Sequence, residues 1–211
     1  MQAQQVGFEH PGATWNQRYA KADFHFGIEP NHWLVEQVGH LPQDGRILCV
    51  ADGEGRNSVW LAQQGFAVDA FDIAEVGLDK ARRLAAERQV QVNYMLASCD
   101  DFAWPQDTYA GIVAIFVQFA PPDMRQRMFA QICRALRPGG VLILMGYTPK
   151  QLEYKTGGPP LVEHLYTAEL LRDSLHPLDI IALREYEAEI QEGEGHSGRS
   201  ALIGLVARRP L

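Results

Sequence analysis

Hydrophobic positions follow two different periods along this chain. Short apolar runs rich in β-formers at 46–51, 67–72, 90–96, 111–116 and 141–147 predict strands. Between them, residues 56–65, 75–88 and 122–136 carry apolar side chains at helical spacing. Strands alternating with helices over short links predict a parallel sheet covered on both faces. Before the first strand, residues 14–40 read as a short helix from Trp15, a loop around Phe26-Gly27, and a helix after Pro30 with Trp33, Leu34 and Val38 on one face. Arg137-Pro138-Gly139-Gly140 is turn chemistry that breaks the 122–136 helix before its strand. After Tyr147 the pattern changes. Lys150 to Pro160, with Gly157-Gly158-Pro159-Pro160, reads as a loop placed to cover a substrate. A helix at 167–175 and two strands, Ile180–Ile190 and Arg199–Arg208, follow, the strands joined through the glycine-rich Gln191–Gly198. The expected class is α/β: a doubly wound, mostly parallel seven-stranded sheet with a C-terminal antiparallel hairpin.

The junction of the first strand and helix carries the chemistry. In Ala51-Asp52-Gly53-Glu54-Gly55-Arg56-Asn57-Ser58 two glycines permit a tight turn and let a ligand lie against bare backbone, ahead of a helix N-terminus. Asp72 closes the second strand about 20 residues past Gly53, the separation suited to an acid on a ribose; a helix N-cap is the plain structural alternative. Ser58 stands where a dinucleotide fingerprint wants a third glycine. Asp52 and Glu54 oppose a pyrophosphate but tolerate a ligand carrying ammonium and sulfonium charges. S-adenosylmethionine is therefore favoured over NAD.

These residues, with Leu136-Arg137-Pro138-Gly139-Gly140, Trp15-Asn16-Gln17-Arg18-Tyr19 and Phe26-Gly27-Ile28-Glu29-Pro30-Asn31, resemble a class I S-adenosylmethionine-dependent methyltransferase. The nearest branch is the small tellurite-resistance (TehB)-like group, with thiopurine methyltransferases more distant. The resemblance implies a Rossmann-like methyltransferase fold over 1–211, with lid helices in 1–44, a cofactor core in 45–147 and a substrate-side loop, helix and hairpin in 148–211. It places the cofactor, S-adenosyl-L-methionine leaving as S-adenosyl-L-homocysteine, against Ala51, Asp52, Gly53, Gly55, Asn57, Asp72 and Ile73. Trp15, Arg18 and Tyr19 would approach its methionine end; Ser98, Cys99 or Asp100 its adenine; Phe116 the transferring methyl. The implied acceptor is a small molecule such as a thiol, selenium or tellurium species. Cys49, Ala51 and Ser98 depart from the family pattern, which keeps a non-catalytic, cofactor-binding regulatory protein as an alternative. An NAD(P)-dependent oxidoreductase is the other, disfavoured by Ser58 and the terminal hairpin.

Composition narrows the partners. A net charge of −7 with no basic cluster argues against a nucleic-acid backbone and for a small-molecule substrate. Three cysteines, Cys49, Cys99 and Cys133, lack the spacing of a zinc site or a disulfide framework, and no metal is expected. The polar start Met1-Gln2-Ala3-Gln4-Gln5 lacks the form of a secretion signal. The longest apolar run, Gly111 to Ala120, is far short of the ~20 residues of a membrane span. The expectation is a cytoplasmic monomer or homodimer that binds no membrane. No nucleophilic triad stands out. If a general base is needed, His196 and Tyr147 are the residues expected to supply it, although His164 and His196 read first as solvated loop histidines.

Overall fold

The computed structural model describes residues 10–211; the polar start discussed above lies outside the described residues. Helix α1, Pro11–Tyr19, begins on a proline whose missing N–H costs a first turn nothing. Helix α2, His32–Gln37, is capped by Asn31, whose side chain accepts from Leu34 N at 3.3 Å. Then come β1 Arg46–Val50, α3 Arg56–Gln63, β2 Ala67–Asp72, α4 Glu75–Glu87, β3 Asn93–Leu96, β4 Tyr109–Ile115 and α5 Pro122–Ala135. The C-terminal part holds β5 Leu136–Tyr147, α6 Gln151–Tyr154, α7 Ala168–Ser174, β6 Asp179–Glu192 and β7 His196–Arg208.

The seven strands form one sheet in the order β3-β2-β1-β4-β5-β7-β6. The first five in that order are parallel neighbours, and β7 pairs antiparallel with both β5 and β6. From β1 the chain winds outward to β3 and then returns to β4 on the other side. The carboxyl ends of β1 and β4 therefore border a topological switch point, where doubly wound sheets bind ligands. Ile112, Val113 and Ala114 in β4, like Leu202 to Ala207 in β7, are buried on both faces, which explains their unbroken apolar runs. Edge strand β6 alternates between exposed and half-buried residues over its second half.

Several features depart from the sequence reading: α1 starts at Pro11 and not at Trp15, α6 occupies Gln151–Tyr154 within the expected 150–160 loop, and the C-terminal strands are longer. The strands of the terminal hairpin run longer than expected, leaving only residues 193–195 as the turn, so His196 opens β7 instead of lying in a loop. Paired strands satisfy more backbone groups than a long solvated loop would, and thirteen residue pairs link β6 to β7. Strand β5 also begins earlier than expected, at Leu136, though Arg137–Gly140 interrupts its regular pairing with β4.

Candidate functional site: a lidded cleft at the switch point

The tips of β1 and β2 meet. Gly53 N donates to Asp72 Oδ2 at 2.8 Å, and Ala74 N donates to Asp72 Oδ1 at 2.8 Å. Each carboxylate oxygen keeps a second lone pair, the acceptor set that a ribose diol requires. Burial raises the Asp72 carboxyl, while the Ala74 and Gly53 N–H groups pull it back. Gly53 has φ +61°, and a Cβ there would stand 2.8 Å from the Tyr19 hydroxyl, so the lid reaches down to bare backbone. Tyr19 is stacked on Trp15 with ring centroids 5.6 Å apart. Burial, and then Asp72, push its phenol well up, so it stays a neutral hydrogen-bond donor. An acid with free lone pairs, a glycine without a side chain and a neutral phenol have the chemistry that suits an adenosyl group, and in this structure the buried Tyr19 covers Gly53.

Beside this corner, Asp52 accepts from Ser58 Oγ. Burial lifts Asp52 to about 7 against the opposing pull of Ser58. Ser58 thus has a role beyond replacing a glycine: it steadies an acid near the place where a cationic group would lie.

The lid is latched by a buried ion pair. Lys80 Nζ lies 2.6 Å from Glu54 Oε1, both side chains 3% exposed, and also donates to the Asp23 carbonyl at 2.7 Å. Glu54 Oε2 accepts from His25 N at 2.7 Å. On its other side the same strap meets the hairpin turn, where Gly195 N donates to the His25 carbonyl at 3.1 Å. Phe26 is thereby set 4.6 Å, centroid to centroid, from His196.

At the β4 and β5 ends lies a second buried cluster. Phe116, with φ +55°, stacks on Tyr147 at 4.7 Å and lies 4.3 Å from His196. Tyr147 and His196 are 5.6 Å apart, edge to face. His196 Nδ1 is 3.4 Å from Glu192 Oε2, which also accepts from Arg56 Nη2 at 2.8 Å, while Asn31 Nδ2 donates to Glu192 Oε1 at 2.9 Å. Burial alone would raise Glu192, but His196 and Arg56 outweigh it and hold the carboxyl at about 2. Burial lowers His196 despite Glu192, so its imidazole is neutral at pH 7. Both lone histidines are in fact buried: His164 bonds the Gln118 carbonyl through Nδ1 at 2.9 Å.

The structure separates other expected site residues from the cleft. A Cβ on Gly55 would stand 2.6 Å from Ala81 Cβ, so this glycine serves the approach of α3 to α4. Asn57 Oδ1 accepts from Asn31 N at 2.9 Å, a structural tie to the lead-in. Arg18 is exposed, its guanidinium 4.7 Å over the Trp15 ring, with no carboxylate partner among the described residues. Asp100 is exposed and pairs with Arg127 of α5 at 3.0 Å. Ser98 Oγ donates to Asp101 at 2.6 Å, and the buried Cys99 sits beneath it. Ala51, at φ +48°, and Ile73 are half-buried along the β1 and β2 ends. A cavity of about 470 Å³ lies not over Gly53 but between residues 26–32 and β6, reaching Glu192.

Lys80, Arg56 and Glu192 escaped sequence reasoning, and Glu54, expected to face a cationic ligand, is instead paired with Lys80. No spacing rule joins residues 136 apart, as Arg56 and Glu192 are. Only the placement of Arg56 directly after the second glycine hinted that it lies at the ligand-facing end.

Comparison with known proteins agrees with this fold. Residues 47–140 match the family described as a methyltransferase domain. A S-adenosylmethionine-dependent methyltransferase structure from Methanosarcina mazei superposes with TM-score 0.71 at 18% identity, covering 86% of this chain and 99% of that one. The fold is the Rossmann-like methyltransferase fold. Within it, the terminal β7-β6 pair is the antiparallel end of an otherwise parallel sheet. The chain is 27% identical over 148 residues to the ubiquinone/menaquinone biosynthesis C-methyltransferase UbiE of Geotalea daltonii, covering 67% of this chain and 59% of that protein. It is 30% identical over 111 residues to the tRNA 5-carboxymethoxyuridine methyltransferase of Escherichia coli K12, covering 50% of this chain and 41% of that protein. It thus spans roughly half the length of these curated relatives.

Proposed function

We propose that this chain is an S-adenosylmethionine-dependent methyltransferase acting on a small-molecule acceptor. The observation that carries the reading is the contact of Gly53 with Asp72 under the Tyr19 hydroxyl, beside an aromatic chamber built on Phe116. The bound cofactor supplies a methyl group already activated on a sulfonium. Asp72 receives the ribose hydroxyls, and Tyr19 with Trp15 closes over the cleft. Asp52, ionised, offsets the positive charge. Phe116, Phe26 and the lid strap exclude water and hold the acceptor in line with the methyl group, which is most of what methyl transfer demands.

An acceptor that is protonated at neutral pH also needs a base. His196 fits that role: it is neutral, Glu192 fixes its Nδ1, and its Nε2 makes no hydrogen bond among the described residues. Tyr147, with its phenol pushed up by burial and then by Glu192, acts as a donor and not as a base. The acidic charge supports a small molecule over RNA. Thiols and selenium or tellurium species are the acceptor classes that the family resemblance suggests, and a cytoplasmic monomer or homodimer is the form we propose.

Calorimetry with S-adenosylhomocysteine tests the cofactor, and a screen of thiols, selenium and tellurium oxyanions and small amines for its production tests the chemistry. Binding of NADH in place of S-adenosylhomocysteine would overturn the reading. With an acceptor in hand, His196→Gln should lower kcat by about 10²–10⁴-fold while leaving S-adenosylhomocysteine affinity unchanged.

A further inference from the structure

Burying a donor without a partner costs free energy, and native chains keep few such groups. This fold keeps two in one cluster. Arg56 Nη1 and Tyr147 Oη are shielded from solvent and have no hydrogen-bond partner among the described residues. Their surroundings fix them in place. The other terminal nitrogen of Arg56 is tied to Glu192 at 2.8 Å, and the Tyr147 ring is clamped between Phe116 and the Gly157-Gly158 loop. Tyr147 Oη and His196 Cδ2 both lie within 3.2 Å of the point that a Cβ on Gly157 would take. Glu192 and His196 link the two: Arg56 Nη2 and His196 Nδ1 lie 2.8 and 3.4 Å from the same Glu192 oxygen, and the His196 ring is 5.6 Å from that of Tyr147.

A guanidinium anchored by one nitrogen and open at the other presents N–H groups to a planar oxyanion, and a phenol adds a third donor. We infer that Arg56 and Tyr147 form a dock for a carboxylate of the methyl acceptor. The acceptor is then a small organic acid whose acid group meets Arg56 Nη1 and Tyr147 Oη, and whose nucleophile faces Phe116 and His196. An ammonium there would face the guanidinium with Glu192 already engaged, and an apolar group would leave both donors unpaired. The carboxylate of the cofactor's own methionine moiety is the other possible source of this chemistry. The experiment below separates these two sources. The inference rests on the methyl-transfer reading for what is bound, not for the existence of the dock.

Calorimetry on the full chain saturated with S-adenosylhomocysteine, titrated with benzoate and then with benzyl alcohol, tests it. Benzoate should bind and benzyl alcohol should not. Arg56→Gln should weaken benzoate at least about tenfold, and Tyr147→Phe about threefold or more, with S-adenosylhomocysteine affinity within about twofold of the parent in both. Because Arg56→Gln removes the partner of a buried Glu192 and can cost folding, Tyr147→Phe is the decisive variant: it deletes only an unpaired oxygen and should leave the melting temperature unchanged. Benzoate binding that is absent from the parent, or unaltered in Tyr147→Phe, overturns the dock. If Arg56→Gln weakens S-adenosylhomocysteine but not 5′-methylthioadenosine, which lacks the carboxylate, the dock belongs to the cofactor and the inference fails. Arg56-dependent benzoate binding in a protein that ignores S-adenosylhomocysteine would support the dock while defeating the methyl-transfer reading.

Discussion

The two ends of the cleft are built by opposite means. At the β1-β2 corner, the proposed nucleotide end, Gly53 and Asp72 stand 19 residues apart and join backbone to carboxylate at 2.8 Å. At the hairpin end, Arg56 and Glu192 stand 136 residues apart and join charge to charge at 2.8 Å. Local strand-turn-helix geometry assembles the first, whereas the second exists only once β7 has entered the sheet beside β5. Strap residues 23–26 tie the ends together, fastened to Glu54 and Lys80 on one side and to the hairpin turn on the other. The β1-β2 corner is therefore preformed, and the aromatic cluster around Phe116 depends on the whole fold being complete.

The most damaging way to break this contrast is Gly55→Val. Its Cβ would stand 2.6 Å from Ala81 at φ +91°, so α3 and α4 must separate. A loss of about 4–6 kcal/mol in urea unfolding, or no soluble protein, is expected. Near-parental stability would return Gly55 to the role of a ligand-facing glycine.

Next is Glu54→Ala, which strands the 3%-exposed Lys80 without its partner. About 3–5 kcal/mol of stability should be lost, with faster hydrogen exchange in residues 20–27 than in the sheet. Equal exchange in the two would mean that the strap is not held by this pair.

Asp72→Ala attacks the nucleotide end alone. It should weaken S-adenosylhomocysteine binding by about 1–3 kcal/mol in calorimetry, through loss of charge-assisted hydrogen bonds. Unchanged affinity would remove Asp72 from the ribose and leave it as a cap for Gly53 and Ala74.

The smallest effect is a pH dependence. The folded-state carboxyl of Asp52 is raised to about 7, above its ordinary 3.8. Its stabilising contribution is therefore complete below about pH 4 and is lost as pH rises through about 7. Asp52→Asn should accordingly raise stability at pH 8 by roughly 1–2 kcal/mol relative to the parent, after allowance for partial exposure, and much less at pH 5. Cofactor affinity in the parent should increase between pH 6 and 8 as Asp52 ionises, and a flat profile would dissociate Asp52 from the cofactor's charge.

Much of the fold was legible because period and punctuation are local properties. The apolar run of β4, the helical spacing of α4 and the glycines around Asp52 announce strand, helix and turn without any tertiary contact. Asp72 was legible for the same reason, since one βα unit brings it back to Gly53. Gly55 misled, because a glycine needed by a ligand and one needed by a neighbouring helix have the same sequence signature. His196 was named for its chemistry but placed in a solvated loop, since the pairing that buries it involves residues spread from 179 to 208.

By itself, then, the order of residues determined the winding of the sheet and the corner made by its first two parallel strands, where hydrogen bonds and hydrophobic periodicity act within a single supersecondary unit. Tertiary structure alone decided which charges are buried together. Desolvation and pairing energies depend on distances between segments that the linear chain leaves free, and those distances exist only when α1, the 23–26 strap and the β6-β7 hairpin close over the same few ångströms of space.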